Sequence, residues 1–143
     1  MTVYALEHHP PIRSGTWPLT GEIQLNTLPA SVRRGRAFVA GSLTQWDMRP
    51  LIDKAVLVTS ELVTNAIRAS WPQHPMITVW LWADGLNVVI EVWDEAPGVP
   101  AVPVLATPQD ECGRGLAIVA ELSRNWGYYR DKTGKVIWAY LGG

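Results

Sequence analysis

The segment from Pro50 to Ser70 carries the strongest periodicity in the chain, and it limits the fold more than any other stretch. Apolar residues recur there at intervals of three and four, at Ile52, Ala55, Val56, Leu62, Val63, Ala66 and Ile67. This spacing predicts an amphipathic helix with one broad apolar face, ended by Pro72. Because that face must be covered, the rest of the chain has to supply a sheet or further helices around a shared core.

Two pairs of β-rich runs follow this helix. "MITVWLW" and "LNVVIEVW" are joined through Asp84-Gly85, and "WGYYR" and "KVIWAYL" are joined across "DKTG", so both pairs read as hairpins. Upstream, "EIQLNTL" (22–28) is typical of an edge strand, and "PASVRRGRAFVAGSLTQW" (29–46) predicts a helix that Gly35 and Gly41 weaken. "GLAIVAEL" (115–122) predicts a third helix. The order favours an α+β fold: a two-layer sandwich with a mixed but mainly antiparallel sheet and the helices on one face.

Length and charge exclude several classes of protein. The chain has 143 residues, which suits one domain (21–143) behind a proline-rich arm (1–20) that we expect to be flexible. Lys plus Arg is 12 and Asp plus Glu is 13, so the formal charge is -1. The chain therefore lacks the excess of positive charge that is typical of proteins binding nucleic acid or an anionic membrane. The first residues lack the basic region and apolar run typical of a signal peptide, and no apolar run approaches the roughly 20 residues that span a bilayer. We therefore expect a cytoplasmic protein.

Glu61 and Asn65 form the first candidate site. They lie one turn apart at the margin of the apolar helix face, about 40° from each other on a helix wheel. On a solvated helix flank such a pair needs no function. If the margin faces a cavity, the amide oxygen of Asn65 is a competent Mg²⁺ ligand, and the carboxylate of Glu61 can accept a proton. These two residues alone leave both interpretations open.

"VWDEAPGVP" is the second candidate. Asp94 ends an apolar strand, and Pro97, Gly98 and Pro100 break the chain at once. A carboxylate there can accept a hydrogen bond from the amino group of a base, beside a glycine that permits close approach. The alternative is an ordinary strand-to-turn exit, since Asp, Gly and Pro are common turn residues.

"ECGRGLAIV" is the third candidate. Gly113 and Gly115 flank Arg114 at the start of a helix, where free N–H groups and the helix dipole favour anions. Arg114 could add a bidentate phosphate contact. A glycine-rich helix start without a ligand is the alternative, because a single G-x-G motif is weak evidence.

Taken together, in this order and spacing, "ELVTNA", "DEAPGVP" and "GRGLAIV" resemble the N, G1 and G2 boxes of the GHKL (Bergerat-fold) ATPases. Within this superfamily, the chain most resembles the small bacterial anti-sigma factors, a branch whose members are serine/threonine kinases. The resemblance runs from about Leu28 to Leu141 and implies the Bergerat ATP-binding fold, with ATP and Mg²⁺ as ligands.

Each matching residue carries an implied role. Asn65 matches the Mg²⁺ ligand, and Glu61 matches the glutamate proposed as a base or orienting group. Asp94 matches the aspartate that reads the adenine amino group, and Gly98 the glycine beneath the ring. The glycine-rich turn at the phosphates is matched by Gly113, Arg114, Gly115 and Leu116.

The resemblance implies an ATP-dependent regulator that phosphorylates a serine of a small anti-sigma factor antagonist and binds a sigma factor. Ala69 stands where this branch often has histidine, and Ala96 where Ser or Gly is usual. Two alternatives therefore stay open, namely a nucleotide-dependent interaction switch without transfer and a scaffold that binds no nucleotide. His8, His9 and His74 lie outside any dimerising helical hairpin, which excludes a sensor histidine kinase, and we expect them at the surface.

Aromatic residues share one face of the predicted sheet. Trp80 and Trp82 lie opposite the aliphatic side chains of their strand, and Trp138 and Tyr140 share a face likewise. A contiguous aromatic patch would suggest a homodimer or partner surface. The alternative is that the N-terminal arm, with Trp17, folds back over it.

Overall fold

The computed structural model describes residues 2–12, 17–98, 100–103 and 114–142, with the backbone alone for 2–4, 101–103 and 114. Along the chain the elements are β1 (Thr2–Tyr4), β2 (Leu19–Asn26), α1 (Ser31–Gln45), a 3₁₀ turn (Arg49–Leu51), α2 (Ile52–Ser70), β3 (Met76–Ala83), β4 (Asn87–Asp94), β5 (Ala101–Pro103), α3 (Arg114–Leu122), β6 (Asn125–Arg130) and β7 (Lys135–Gly142). Within the described ranges, none of the helices has the length and apolar character needed to cross a membrane.

The main sheet has five strands in the order β2-β3-β4-β7-β6, and all neighbours are antiparallel. Both predicted hairpins are present, and β2 lies at an edge as expected. Gly85 in the first hairpin has φ 98°, a conformation that favours glycine. The short strands β1 and β5 pair separately. The sequence did not predict β5, because its three residues fall inside a proline-rich stretch.

The helices cover one face of this sheet, which confirms the predicted two-layer α+β architecture. Helix α2 packs against β3, β4 and β7, while α1 packs on α2 and β2, and α3 on α2. The core between the layers includes Val58, Leu62 and Val63 of α2 and the alternate residues Ile77, Val79, Leu81, Val88, Ile90 and Val92 of the two central strands. This face is aliphatic.

The two glycines of α1 do not interrupt it. Gly35 is buried where α1 meets α2 and β2: a Cβ there would lie 3.4 Å from both Leu25 Cδ1 and Val63 Cγ2. Close packing therefore explains Gly35 and offsets its poor helix propensity. The helix predicted from Pro50 begins as the 3₁₀ turn, where Pro50 can lie without leaving a hydrogen bond unmade.

Residues of the N-terminal arm lie on the opposite, aromatic face. The backbone N–H of His8 donates to Tyr128 O (2.9 Å), and Trp138 Nε1 donates to His8 O (2.8 Å). The ring of Trp17 packs edge-on against Tyr140 at 6.0 Å. The described part of the arm thus covers Trp138 completely, as in the second alternative above. His8 is half-buried against Trp138, contrary to the expected surface position.

Candidate nucleotide site

Helix α2 presents Glu61 and Asn65 one turn apart, both half-buried. Glu61 lies against the first turn of α3: a Cβ added to Gly115 would lie 2.6 Å from Glu61 Oε2. A side chain at position 115 would therefore displace the carboxylate. The fold brings the first and third sequence candidates into direct contact, which explains why glycine stands at this position.

The rest of the third candidate lies on the same turn. Arg114 is the first residue of α3, and Gly113 lies outside the described residues. The side chain of Leu116 is buried in the hydrophobic core, so only its backbone is available to a ligand. The first N–H groups of an α-helix have no acceptor within the helix and attract anions.

Asp94 is the most distinctive group of the site. It lies fully buried at the end of β4, where its Oδ1 accepts from Ala96 N (2.9 Å) and Lys135 Nζ (2.7 Å). Its Oδ2 is equally buried and has no hydrogen-bond partner among the described residues. Burial raises the pKa of Asp94, and the hydrogen bond from Lys135 opposes that rise. A buried carboxylate oxygen without a donor is suited to an amino group that a ligand brings.

The β6–β7 turn sets the position of Lys135. Asp131 Oδ1 accepts from the N–H groups of Thr133 and Gly134, both at 2.8 Å, and backbone hydrogen bonds of this kind lower the pKa of Asp131. A Cβ on Gly134 would lie 2.2 Å from Asp94 O, so only glycine lets the turn close onto the end of β4. Lys135 then pairs directly with Asp94 across the two strands.

The loop after Asp94 is held at two points by the same hairpin. Lys135 Nζ donates to Ala96 O at 2.9 Å, and Arg130 donates to Gly98 O. Gly98 has φ 110°, which favours glycine. Ala96 is buried, so a small side chain suits this position, and its departure from the family pattern removes no ligand.

Sequence reasoning missed Lys135 and Arg130. Both fall in segments that read as an ordinary hairpin, and a lysine after a turn glycine is usually solvated. Lys135 could have been identified from its position opposite Asp94 in the sheet. That position is known only once β4 and β7 are known to be neighbouring strands. The other departure, Ala69, is exposed on α2.

Comparison with known proteins agrees with this arrangement. Residues 25–141 match the family described as histidine kinase-like ATPase domain. No curated protein matches the chain. The crystal structure of the RsbU and RsbW domains of Rv1364c from Mycobacterium tuberculosis is similar, with a TM-score of 0.59 and 18% sequence identity, over 86% of this chain and 31% of that chain. This chain therefore spans less than a third of that protein's length, and at this identity the likeness shows the fold.

The match and the geometry point the same way. The family match covers most of the 143 residues, and all three motifs lie within the matched range 25–141. The resemblance stated from the motifs is therefore confirmed at the level of the family. The chain belongs to the histidine kinase-like (GHKL) ATPase domain family.

Proposed function

We propose that this chain binds Mg·ATP and phosphorylates a serine of a small antagonist protein, in the manner of an anti-sigma-factor kinase that also binds a sigma factor. The observation that carries nucleotide binding is the buried Oδ2 of Asp94, which lacks a donor among the described residues. The amino group of adenine is a donor of the required kind. Membership of an ATPase-domain family supports the same ligand.

The metal also fits the residues at the site. Mg²⁺ is commonly held by one or two protein oxygens together with substrate phosphates and water, so the amide oxygen of Asn65 would suffice as its protein ligand. When bound, the ion neutralises charge on the phosphates. Asn65 lies within α2, five residues before its last residue, so the helical backbone sets the position of that ligand.

The proposed chemistry assigns one task to each group. Arg114 and the first N–H groups of α3 hold phosphate oxygens, and Gly98 lies beneath the base. As the serine Oγ forms its bond to the γ-phosphorus, the bond from that phosphorus to the bridging oxygen breaks and its electron pair leaves with ADP. Glu61 accepts the serine proton or orients the hydroxyl. Its contact with Gly115 supports this role, because it lies next to the turn proposed to hold phosphate.

Transfer of labelled γ-phosphate from ATP to an antagonist protein isolated with this chain tests the proposal. We expect phosphoserine on the antagonist and loss of transfer in Asn65→Ala. Leu57→Ala is the matched control, because Leu57 is an exposed residue of the same helix and should leave transfer unchanged. Full transfer by Asn65→Ala would overturn the role of Asn65.

A second candidate function is a nucleotide-dependent interaction switch without transfer. The contact between Glu61 and Gly115 favours it, because a ligand that moves the first turn of α3 must also move Glu61 on α2. Mg·ATP at about 100 times its dissociation constant would then stabilise the fold by roughly 2.7 kcal/mol and alter partner affinity, with no phosphoserine formed. An unchanged melting temperature in excess Mg·ATP would contradict both functions and support a scaffold that binds no nucleotide.

A further inference from the structure

Lys135 is an unusual residue to find inside this domain. It is 4% exposed, and lysine is almost never so buried without a partner. An ammonium group carries three N–H donors. The described residues supply acceptors for two of them, Asp94 Oδ1 at 2.7 Å and Ala96 O at 2.9 Å. One donor of Lys135 is left over on the side chain that already contacts Asp94.

A buried ion pair with a purely structural role would be expected to satisfy both partners. Here each partner has spare capacity. Asp94 Oδ2 is an acceptor without a donor in the described part of the chain, and Lys135 has a donor beyond the two bonds above. The two residues are direct cross-strand neighbours on β4 and β7, and Lys135 Nζ lies 2.7 Å from Asp94 Oδ1, so the ammonium group with a remaining donor is next to the carboxylate with a remaining acceptor.

Such a pair is complementary to a ligand edge with a donor next to an acceptor. Adenine has this edge, with its 6-amino group beside the ring nitrogen N1. Guanine has an oxygen at position 6 and an N–H at position 1, so the order of donor and acceptor is reversed. With the sugar and phosphates held elsewhere in the site, the carboxylate would face the guanine oxygen and repel it.

Resting on the proposed nucleotide site, we propose that Lys135 is a specificity-determining residue that donates its third N–H to N1 of adenine, while Asp94 Oδ2 accepts from the 6-amino group. Lys135 thereby has two roles. It holds Asp94 Oδ1 in place, and it binds N1 of adenine, the ring atom next to the carbon that bears the 6-amino group bound by Asp94. The tight closure of Gly134 onto Asp94 O fixes both strands for this task.

The first test uses the unaltered chain and three ligands, with affinities measured by isothermal titration calorimetry. The ligands are ATP, GTP and 1-deaza-ATP, in which a C–H replaces N1. A hydrogen bond from a charged donor predicts that 1-deaza-ATP binds roughly 10- to 100-fold more weakly than ATP. Equal affinity for ATP and 1-deaza-ATP would overturn the role of Lys135 and leave the proposed function standing. A chain that binds neither ligand would overturn the proposed function itself.

The second test repeats the titrations with Lys135→Met, which keeps the length of the stem and removes the donors. We expect ATP affinity to fall by roughly the same 10- to 100-fold, and ATP and 1-deaza-ATP to bind this variant equally. Were Lys135 only to support Asp94, both ligands would weaken by the same factor and their ratio would stay as in the unaltered chain. If Lys135→Met does not fold, the relative affinities of ATP and 1-deaza-ATP for the unaltered chain still test whether Lys135 donates to N1.

Glu91→Gln is the matched control. Glu91 is also a buried carboxylate of β4, but it lies on the other face of the sheet, away from Lys135. We expect the ratio of ATP to 1-deaza-ATP affinity in Glu91→Gln to equal that of the unaltered chain. A changed ratio would show that the measurement reports general loosening of the sheet and would contradict the specific contact.

Discussion

Strand β4 carries two buried carboxylates on opposite faces of the sheet, and they are satisfied in different ways. Glu91, on the aromatic face, accepts from Trp82 Nε1 (2.7 Å) and from the hydroxyl of Tyr129 (2.5 Å), one donor on each oxygen. Asp94, on the helix-covered face, has two donors on Oδ1 and none among the described residues on Oδ2. Burial raises the pKa of both groups.

The contrast gives a criterion for separating a structural carboxylate from a candidate ligand-binding one. Burial and a raised pKa are common to both and decide nothing. What distinguishes them is whether the protein completes the hydrogen bonds, since buried polar atoms are nearly always paired in folded proteins. Glu91 is complete and ties β3, β4 and β6 together. Asp94 has one oxygen without a donor among the described residues, at the position where we propose that the base binds.

Asp94→Ala should change both stability and ATP binding more than any other single substitution considered. Removing one partner of a buried ion pair leaves Lys135 unpaired, and the free energy of unfolding should fall by about 3–5 kcal/mol. Urea denaturation measures this, and calorimetry should show that ATP binding is lost.

The double variant Asp94→Leu/Lys135→Met sharpens that result. Apolar side chains in place of both charges should restore most of the free energy of unfolding, because no buried charge is left uncompensated. ATP binding should stay absent. If the double variant bound ATP as the unaltered chain does, the assignment of Asp94 to base recognition would be wrong.

A smaller effect is expected from Tyr129→Phe on the other face. The change leaves Glu91 Oε2 buried without a donor and should lower the free energy of unfolding by about 1–3 kcal/mol. ATP affinity should be unchanged, since Glu91 lies on the opposite face from Asp94. Parallel urea denaturation and calorimetry check both points. A loss of ATP affinity comparable to that in Asp94→Ala would contradict the conclusion that only the carboxylate on the helix-covered face takes part in nucleotide binding.

The smallest effect concerns pH and Glu91→Gln. Because burial raises the pKa of Glu91 above its unfolded value of 4.5, the folded state holds the proton over a pH range where the unfolded state has released it. This contribution to stability is fully present below the unfolded pKa and is lost as pH rises through the folded pKa. Glu91→Gln removes it, so the stability of the variant relative to the unaltered chain should increase with pH across that window.

Urea denaturation of both proteins between about pH 4 and pH 8 measures this slope. The carboxyl group of Asp94 has a shift of the same sign, but it is present in both proteins and cancels from the difference. A difference in stability that stays constant over this range would show that Glu91 titrates as it does in the unfolded chain.

Local patterns predicted most of the fold. The three- and four-residue spacing of α2, the Asp84-Gly85 turn and the alternation of β3 and β4 each follow from neighbours within one or two turns of chain, so they can be read from the sequence. The boundaries shifted by a few residues, as at Ile52 and Leu19, where helix starts and strand pairing depend on partners elsewhere. The short pairing of β1 with β5 was missed for the same reason.

The site divides in the same way. Four candidate residues were identified from motifs in which the residue type itself indicates the chemistry, namely Glu61, Asn65, Asp94 and Gly98. That Glu61 touches Gly115, and that Asp94 faces Lys135, depends on which elements are adjacent in space. Gly113 and the loop before it lie outside the described residues, and the ligand roles assigned to the other motif residues also stay predictions.

Residue type and short-range spacing were enough to predict the three helices, the five strands of the main sheet, the family motifs and the aliphatic face that α2 must cover. Three features became visible only in the folded chain: the N-terminal arm lies over Trp138, Glu91 is hydrogen-bonded by Trp82 and Tyr129, and Lys135 donates to one oxygen of Asp94. The reason is physical. Hydrogen bonds and ion pairs between distant residues depend on strand order and register, and the local signals of a single chain do not specify these.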